Sequence, residues 1–392
     1  MQLSVIILNY NVSKFLEQCV LSVQNALTTI DAEIIVIDNN SQDNSCAMMK
    51  QRFPEIKLIE NKQNLGFPKG NNIGVAAAKG EYICILNPDT VVAEDTFLKV
   101  LAFAKKQKNL GIVGCKLIDG TGNFLPESKR GIPTPFVAFT KITGLYKIFS
   151  KSFGKYYAQQ LSENETGKVE ILVGAFMLMK RDLYLEIGGF DEKCFMYSDD
   201  IDLSYMVLQK GKSNYYFNET SVIHYKGEST LKDGTYMRRS REAMNFFYKK
   251  HFKVSFLFSF FMKMGIVFFS FVKMFQGKPK PKVKPESYIL VSENEILREK
   301  LEIFLKKPVK LFDNLNLIGK GNTLFTQSFS ENQSNGSTIE VIFDQNYLDF
   351  KSIIQAFESN KNQTLSFKIL PKSTDFLIGS NSSFDRGEVI KF

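Results

Sequence analysis

Tryptophan is absent from the 392 residues, although phenylalanine occurs 36 times and tyrosine 15 times. Cysteine is sparse: Cys19, Cys46, Cys84, Cys115 and Cys194 are odd in number, scattered, and form no CxxC pair. That excludes a disulfide framework and a thiolate zinc site, and it points to a reducing compartment. Small buried hydrophobes are what such cysteines usually are. Histidine is limited to His224 and His251. There is no internal repeat. Met1–Tyr10 has no basic stretch ahead of its apolar residues and turns polar after Leu8, so it reads as a buried first strand, not a secretory leader.

Hydrophobic residues make up 44% and charged residues 23%, enough for a real core. The length predicts two domains. A formal net charge of +9 calls for an anionic partner. Nucleic acid is set aside, because the basic residues gather around one Phe-rich segment and not among exposed aromatics on a sheet.

The N-terminal third alternates strand and helix. Strands are predicted over Ser4–Asn9, Glu33–Asp38, Lys57–Glu60 and Glu81–Leu86, with helices over Val12–Thr28, Asn44–Arg52, Pro68–Lys79 and Glu94–Gln107. This alternation predicts βαβ units and a mainly parallel sheet, with ligands beyond the carboxyl ends of its strands. Leu125–Tyr157 reads as a long loop, Glu170–Lys180 as a strand and Tyr236–Phe252 as a basic helix. Val254–Phe275 is 22 residues long and charged only at Lys263 and Lys273. With basic flanks on both sides it reads as a helix lying in a membrane interface in preference to spanning it. After a Pro/Lys linker, residues 286–392 repeat a strand–helix pattern, a small Rossmann-like unit without a GxGxxG fingerprint.

Five polar stations fall at strand ends. Asn9 and Asn11 follow the first strand, and Asp38 and Asn40 the second, where amide and carboxylate groups can hydrogen-bond a base and ribose. Asn64–Gly74 carries glycines, Lys69 and Asn71 at a helix start suited to an anionic ligand. Asn87-Pro88-Asp89 offers one carboxylate for a hard cation that bridges a diphosphate. Asp199, Asp200 and Asp202 cluster after Gly188–Glu192; mutual repulsion among them favours a general base. His224 precedes a glycine turn. Each station alone has a plain structural reading as a turn, a cap or a core histidine.

Their order and spacing resemble the family 2 glycosyltransferases of GT-A fold, especially the rhamnosyltransferase-like branch that builds bacterial surface polysaccharides, over about residues 1–250. The resemblance implies an α/β GT-A domain (1–250); the composition and pattern read above add a membrane-associating helix and linker (251–285) and the small α/β unit (286–392). It implies that Asn9, Asn11 and Asp38 hold the nucleotide, with Asn71 near the diphosphate. Asp89 would bind Mg2+ or Mn2+ with His224, and Asp200 would take the acceptor proton beside Asp199. The expected partners are a nucleotide-diphosphate sugar, a glycan or lipid-linked glycan acceptor, and the cytoplasmic face of the cell membrane. The sequence departs from the family at Asn87 (usually Asp), at Asp199 (usually Glu) and at Met206 (usually Arg). No processive QxxRW pattern is present, which favours transfer of single sugars. The missing arginine leaves open a membrane-bound nucleotide-sugar-binding protein without transferase activity. A nucleotidyltransferase would need a glycine-rich, basic loop where Asn9-Tyr10-Asn11-Val12 stands.

Overall fold

The structure is a computed structural model and describes residues 1–134, 157–158, 160–226, 234–252, 285–312, 338–361, 365–382 and 387–392. The first part runs β1 (Leu3–Asn9), α1 (Ser13–Leu27), β2 (Ala32–Asp38), α2 (Ser45–Arg52), β3 (Lys57–Glu60), α3 (Gly66–Ala77), β4 (Tyr82–Leu86), β5 (Thr90–Val91), α4 (Thr96–Lys106) and β6 (Leu110–Ile118). It continues through β7 (Gly167–Val169), β8 (Phe176–Lys180), α5 (Arg181–Glu186), α6 (Asp199–Gln209), β9 (Ser213–His224) and α7 (Gly234–His251). These strands form one sheet in the order β3-β2-β1-β4-β8-β6-β9-β5, with β7 also on β9.

Every residue of β1 is buried. Leu3, Val5 and Ile7 face α1 and α4 in one core, and Ile6 and Leu8 join α3 and α6 in another. Both faces of the strand are therefore covered, which is why it reads as an unbroken apolar run. Helix α3 lies close on the sheet because Gly70 and Gly74 lack side chains. A Cβ at Gly74 would come within 2.6 Å of both Ile37 and Ile6. These glycines belong to the helix, not to a loop before it: Pro68 is the third helical residue, where the sequence suggests it is the first.

The sheet is mixed, where the alternation suggested mainly parallel pairing. Strands β3, β2, β1 and β4 run parallel, but β8 enters antiparallel between β4 and β6. Hydrophobic patterning reports burial and not direction, so this reversal leaves no trace in it. Strand β6 is buried along its whole length, yet no strand is predicted there. Its Gly111 and Gly114 weaken the β signal, and each sits where a Cβ would strike Asn214 or Leu172. The predicted strand Glu170–Lys180 is broken: only Phe176–Lys180 joins the sheet as a strand, and Ile171 makes an isolated bridge to Arg130. Its first half makes the floor of the site described below.

The second sheet is built from β10 (Ser287–Val291), α8 (Glu295–Leu305), β11 (Val309–Phe312), β12 (Ile339–Asp344), α9 (Phe350–Ser359), β13 (Leu365–Leu370), β14 (Phe376–Ser380) and β15 (Glu388–Lys391). Its order is β11-β10-β12-β13-β14-β15, parallel except for the last two strands. It is not a detached unit. One buried cluster joins Val12, Phe15, Val91, Ile118, Ile223 and Tyr225 to Ile353, Phe357, Phe367, Phe376 and Ile378. Glu94 lies ahead of α4, not within it, and its carboxylate accepts from the first two N–H groups of α9 at 2.8 and 2.9 Å. Gly122, at φ +81°, would place a Cβ 2.0 Å from the Phe357 carbonyl oxygen. Gly122→Ala therefore combines left-handed strain with overpacking at this junction, and is expected to cost about 2–3 kcal/mol of unfolding free energy. Denaturant titration measures it; an unchanged midpoint would refute the junction.

Among the described residues no helix is long and apolar enough to cross a membrane. Val254–Phe275 and most of the Pro/Lys linker lie outside the described residues, as does most of Leu125–Tyr157.

Candidate active site

The nucleotide stations meet at the carboxyl ends of β1 and β2. Asn9 and Asp38 are register partners and are nearly inaccessible. Asn9 Nδ2 donates to Asp38 Oδ1 at 2.7 Å and to Ser41 Oγ at 3.0 Å, and Ser41 N donates to the other Asp38 oxygen at 2.8 Å. The pair thus braces the two strand ends, and Asn9 Oδ1 is left without a partner. Asn11 and Asn40 are the exposed members, both at positive φ. Asn11 Oδ1 accepts from Gln42 N at 2.6 Å, tying the first loop to the second. Of the α3 residues, Asn71 is buried and donates to Phe67 O at 2.9 Å, with its own Oδ1 unpartnered. Lys69 is half exposed and turned to Glu192 at 3.6 Å.

The second station forms where β5 pairs with the end of β9, Thr90 opposite His224. Asp89 and His224 are both buried, and His224 Nε2 lies 3.5 Å from Asp89 Oδ1. Asn87 Nδ2 is 3.4 Å from the same nitrogen. Tyr225 N donates to the Asp89 carbonyl at 3.0 Å, so the backbone fixes the bracket independently of its side chains. His224 Nδ1 has no hydrogen-bond partner. Among the described residues no group of three or more His, Cys, Asp or Glu is arranged so that it could hold a metal ion by itself. The fit to a hard divalent cation is nonetheless good. A carboxylate oxygen and an imidazole nitrogen at this separation suit neighbouring positions on one ion, and Mg2+ ordinarily draws its remaining ligands from phosphate and water.

The third station is the start of α6. Ser198 occupies the N-cap position, so Asp199 is the first helical residue and not the cap. Asp199 and Asp200 are both buried. Asp200 Oδ2 accepts from Arg130 at 2.5 Å and from Gly174 N at 3.2 Å. Burial, and next the Asp200 charge, push the Asp199 carboxyl up to about 7. Gly174 joins the stations: Ala175 O, next along the chain, accepts from Asn87 N at 3.0 Å. The broken half of β8 therefore holds the acid pair beside the Asn87–Asp89 turn.

Three residues of this site escape the sequence reading. Arg130 reaches Asp200 across a sequence gap that no local pattern signals. Lys250 and His251, the last residues of α7, both bind Asp202. Lys250 Nζ lies 2.8 Å from one oxygen and His251 Nε2 2.5 Å from the other, and Lys250 also reaches Asp191 at 2.9 Å. The same Nζ is 3.6 Å from Met206 Sδ. Met206 is one turn beyond Asp202, the helical spacing at which an arginine would meet that carboxylate. Lys250 thus supplies from α7 the cation missing at position 206. Lys250→Met should cost about 1–2 kcal/mol, because Asp202 is buried and retains only His251. Met206→Arg added to that variant should restore the melting temperature; failure of the restoration would separate the two positions.

Residues 4–188 match the family described as Glycosyl transferase family 2. The chain is 26% identical over 247 residues to N-acetylglucosaminyl-diphospho-decaprenol L-rhamnosyltransferase of Mycobacterium tuberculosis, which covers 59% of this chain and 78% of the relative. It is 26% identical over 167 residues to rhamnosyltransferase WbbL of Escherichia coli, 41% of this chain and 61% of that one. Among solved structures, the mannosyltransferase PcManGT of Pyrobaculum calidifontis, in complex with GDP-Man and Mn2+, aligns over 71% of this chain and 76% of its own. With 16% identity and a TM-score of 0.46, it is too distant a likeness to bear on ligands or mechanism.

Proposed function

Because the chain is a family 2 glycosyltransferase with a GT-A-like core, we propose that it transfers single sugars, with inversion, from a nucleotide-diphosphate sugar to a lipid-linked glycan in cell-surface polysaccharide synthesis. The observation that carries this reading is the continuous run from the Asp89–His224 bracket through Asn87, Ala175 and Gly174 to Asp200. It links two buried carboxylates, and the reading gives Asp89 the cation that bridges the diphosphate and Asp200 the acceptor proton. The names of the two rhamnosyltransferases support the acceptor class and a rhamnosyl-like donor.

In this reading the nucleoside sits across the ends of β1 and β2, over Asn11 and Asn40, with Asn9 and Asp38 bracing the floor. Asp89 and His224 would hold Mg2+ or Mn2+, which when bound offsets charge on the departing diphosphate. Asp200 takes the proton of the acceptor hydroxyl as that oxygen attacks the anomeric carbon and the bond to the diphosphate breaks. The Phe-rich segment that follows α7 would lie on the cytoplasmic face of the membrane, within reach of a lipid-linked acceptor. A nucleotide-sugar-binding protein without activity drew its support from Met206, and Lys250 removes that support. The test is a screen of nucleotide-diphosphate sugars with polyprenyl-diphosphate glycan acceptors, reading nucleoside diphosphate release. Release that no acceptor stimulates, from any donor, would overturn the reading.

A further inference from the structure

Arg130 belongs to none of the five stations, yet it makes the shortest polar contact to Asp200. It follows the 3-10 turn Pro126–Ser128, and its position is fixed from both sides. Its backbone pairs with Ile171, N to O and O to N, both at 2.9 Å. Its guanidinium donates to Leu172 O at 3.3 Å and to Asp200 Oδ2 at 2.5 Å. Arginine and aspartate side chains are each only 12% exposed. The contact is therefore neither a surface ion pair nor an accident of a free side chain. The strand that carries Arg130 is pinned to the segment that supplies Gly174 N, the second donor to the same oxygen.

We propose that Arg130 is a positioning residue for the transfer step, which holds Asp200 in place and sets a positive charge against the buried acid pair. The inference rests on the reading that Asp200 takes the acceptor proton. The physical reason is a balance of charge. Two adjacent carboxylates in a buried site cannot both ionise without a compensating cation. Arg130 faces the pair from across the site. Asp199 faces Asp200 from its own helix, and the charges of Asp199 and Glu192 both act on Tyr184. Lys250 and His251 are engaged with Asp202 instead. Burial and then the Asp200 charge raise the Asp199 carboxyl, and the Arg130 guanidinium opposes that rise. With Arg130 removed, one proton is shared by both acids and Asp200 is no longer reliably free to accept another.

The sign follows from this. A base works when deprotonated, and removing a nearby cation raises the pH at which it deprotonates, so activity is lost on the acid side and regained on the alkaline side. Loss of an opposite charge at this distance moves a carboxyl by about 1–3 pH units. Arg130→Met should therefore shift the acid limb of its kcat profile upward by about 1–2 units, which lowers kcat about 10–100-fold at pH values below the parent limb and leaves it near the parent rate well above the variant's own limb. KM for the donor should change little. Arg130→Lys keeps the charge and should leave the limb near its original place. Should Arg130→Met fail to fold, Arg130→Gln carries the same test. A loss that is equal at every pH, or no loss, overturns the proposal. Asp200→Asn is run beside it: if that variant stays active, the assignment of the base itself has failed, whereas an inactive Asp200→Asn with an unmoved Arg130→Met profile sinks the role of Arg130 alone.

Discussion

Asp200→Asn should retain donor binding and lose transfer by about 10²–10⁴-fold, the range general-base catalysis usually supplies. The amide keeps the shape of the side chain, and the hydrogen bond from Gly174 N remains possible through its carbonyl oxygen. What it loses is the ability to take a proton. The substitution also leaves Arg130 facing a neutral group, which costs stability, so melting temperature must be read beside rate. A variant that melts within a few degrees of the parent, binds the nucleotide-diphosphate sugar with parental affinity and no longer turns it over is the expected outcome. Parental turnover would end the assignment. Asp199→Asn is the informative companion. It removes the neighbouring charge and should lower the pH at which Asp200 works, leaving most of the rate in place at neutrality. The two neighbouring acids are thus distinguished by lost turnover in one variant against a shifted pH profile in the other.

Much of the first sheet was legible because its strands are buried on both faces and its helices on one. The positions of β1, β2, β3 and β4 follow from apolar runs that end in polar residues, and the site stations follow from those ends. What was not legible depends on contacts between distant segments. The reversal at β8 is a matter of chain direction, and the full burial of β6 was masked by glycines that make room for Asn214 and Leu172. Arg130, Lys250 and His251 act on acids that are 70, 48 and 49 residues away in sequence. A departure such as Met206 invites a reading of lost function when only one element is considered. Here a cation reaches Asp202 from another helix, through Lys250.

The second sheet illustrates the same limit. Its strand–helix pattern could be read, but not that its core is continuous with the first. Tyr225 shows what that continuity does. Its backbone holds the Asp89 carbonyl, and its ring meets Phe15 edge-on at 5.4 Å within the shared cluster. A Cβ at Gly387 of the second sheet would come within 2.6 Å of Phe15 and touch the Tyr225 Cβ. The Asp89–His224 bracket is therefore backed by the second part of the chain, two residues deep.

That backing makes the Asp89 side chain separable from the fold around it. Asp89→Ala removes the carboxylate but leaves the Asp89 carbonyl, its hydrogen bond from Tyr225 N and the β5–β9 pairing, all of which are backbone interactions. The loss of a buried acid held 3.5 Å from His224 should accordingly leave stability close to that of the parent while removing the strongest anionic ligand of the bracket. The readout is Mn2+ binding in the presence of whichever nucleoside diphosphate the parent binds, followed by calorimetry or by the electron spin resonance of free Mn2+. Affinity should fall at least about 10–100-fold, the loss typical when a site's oriented ligand is altered, and transfer should fall with it. His224→Ala should give the smaller loss of the two, because a neutral imidazole contributes no charge. Asn87→Asp, which restores the family's usual acid, should tighten Mn2+ and move in the opposite direction. Parental Mn2+ affinity in Asp89→Ala would mean that the cation, if any, is held elsewhere. Loss of Mn2+ together with a collapsed melting temperature would mean that the carboxylate serves the fold. Only loss of the ion with the fold intact supports the bracket as a diphosphate-bridging site, and the backbone geometry at Tyr225 is the reason to expect that combination.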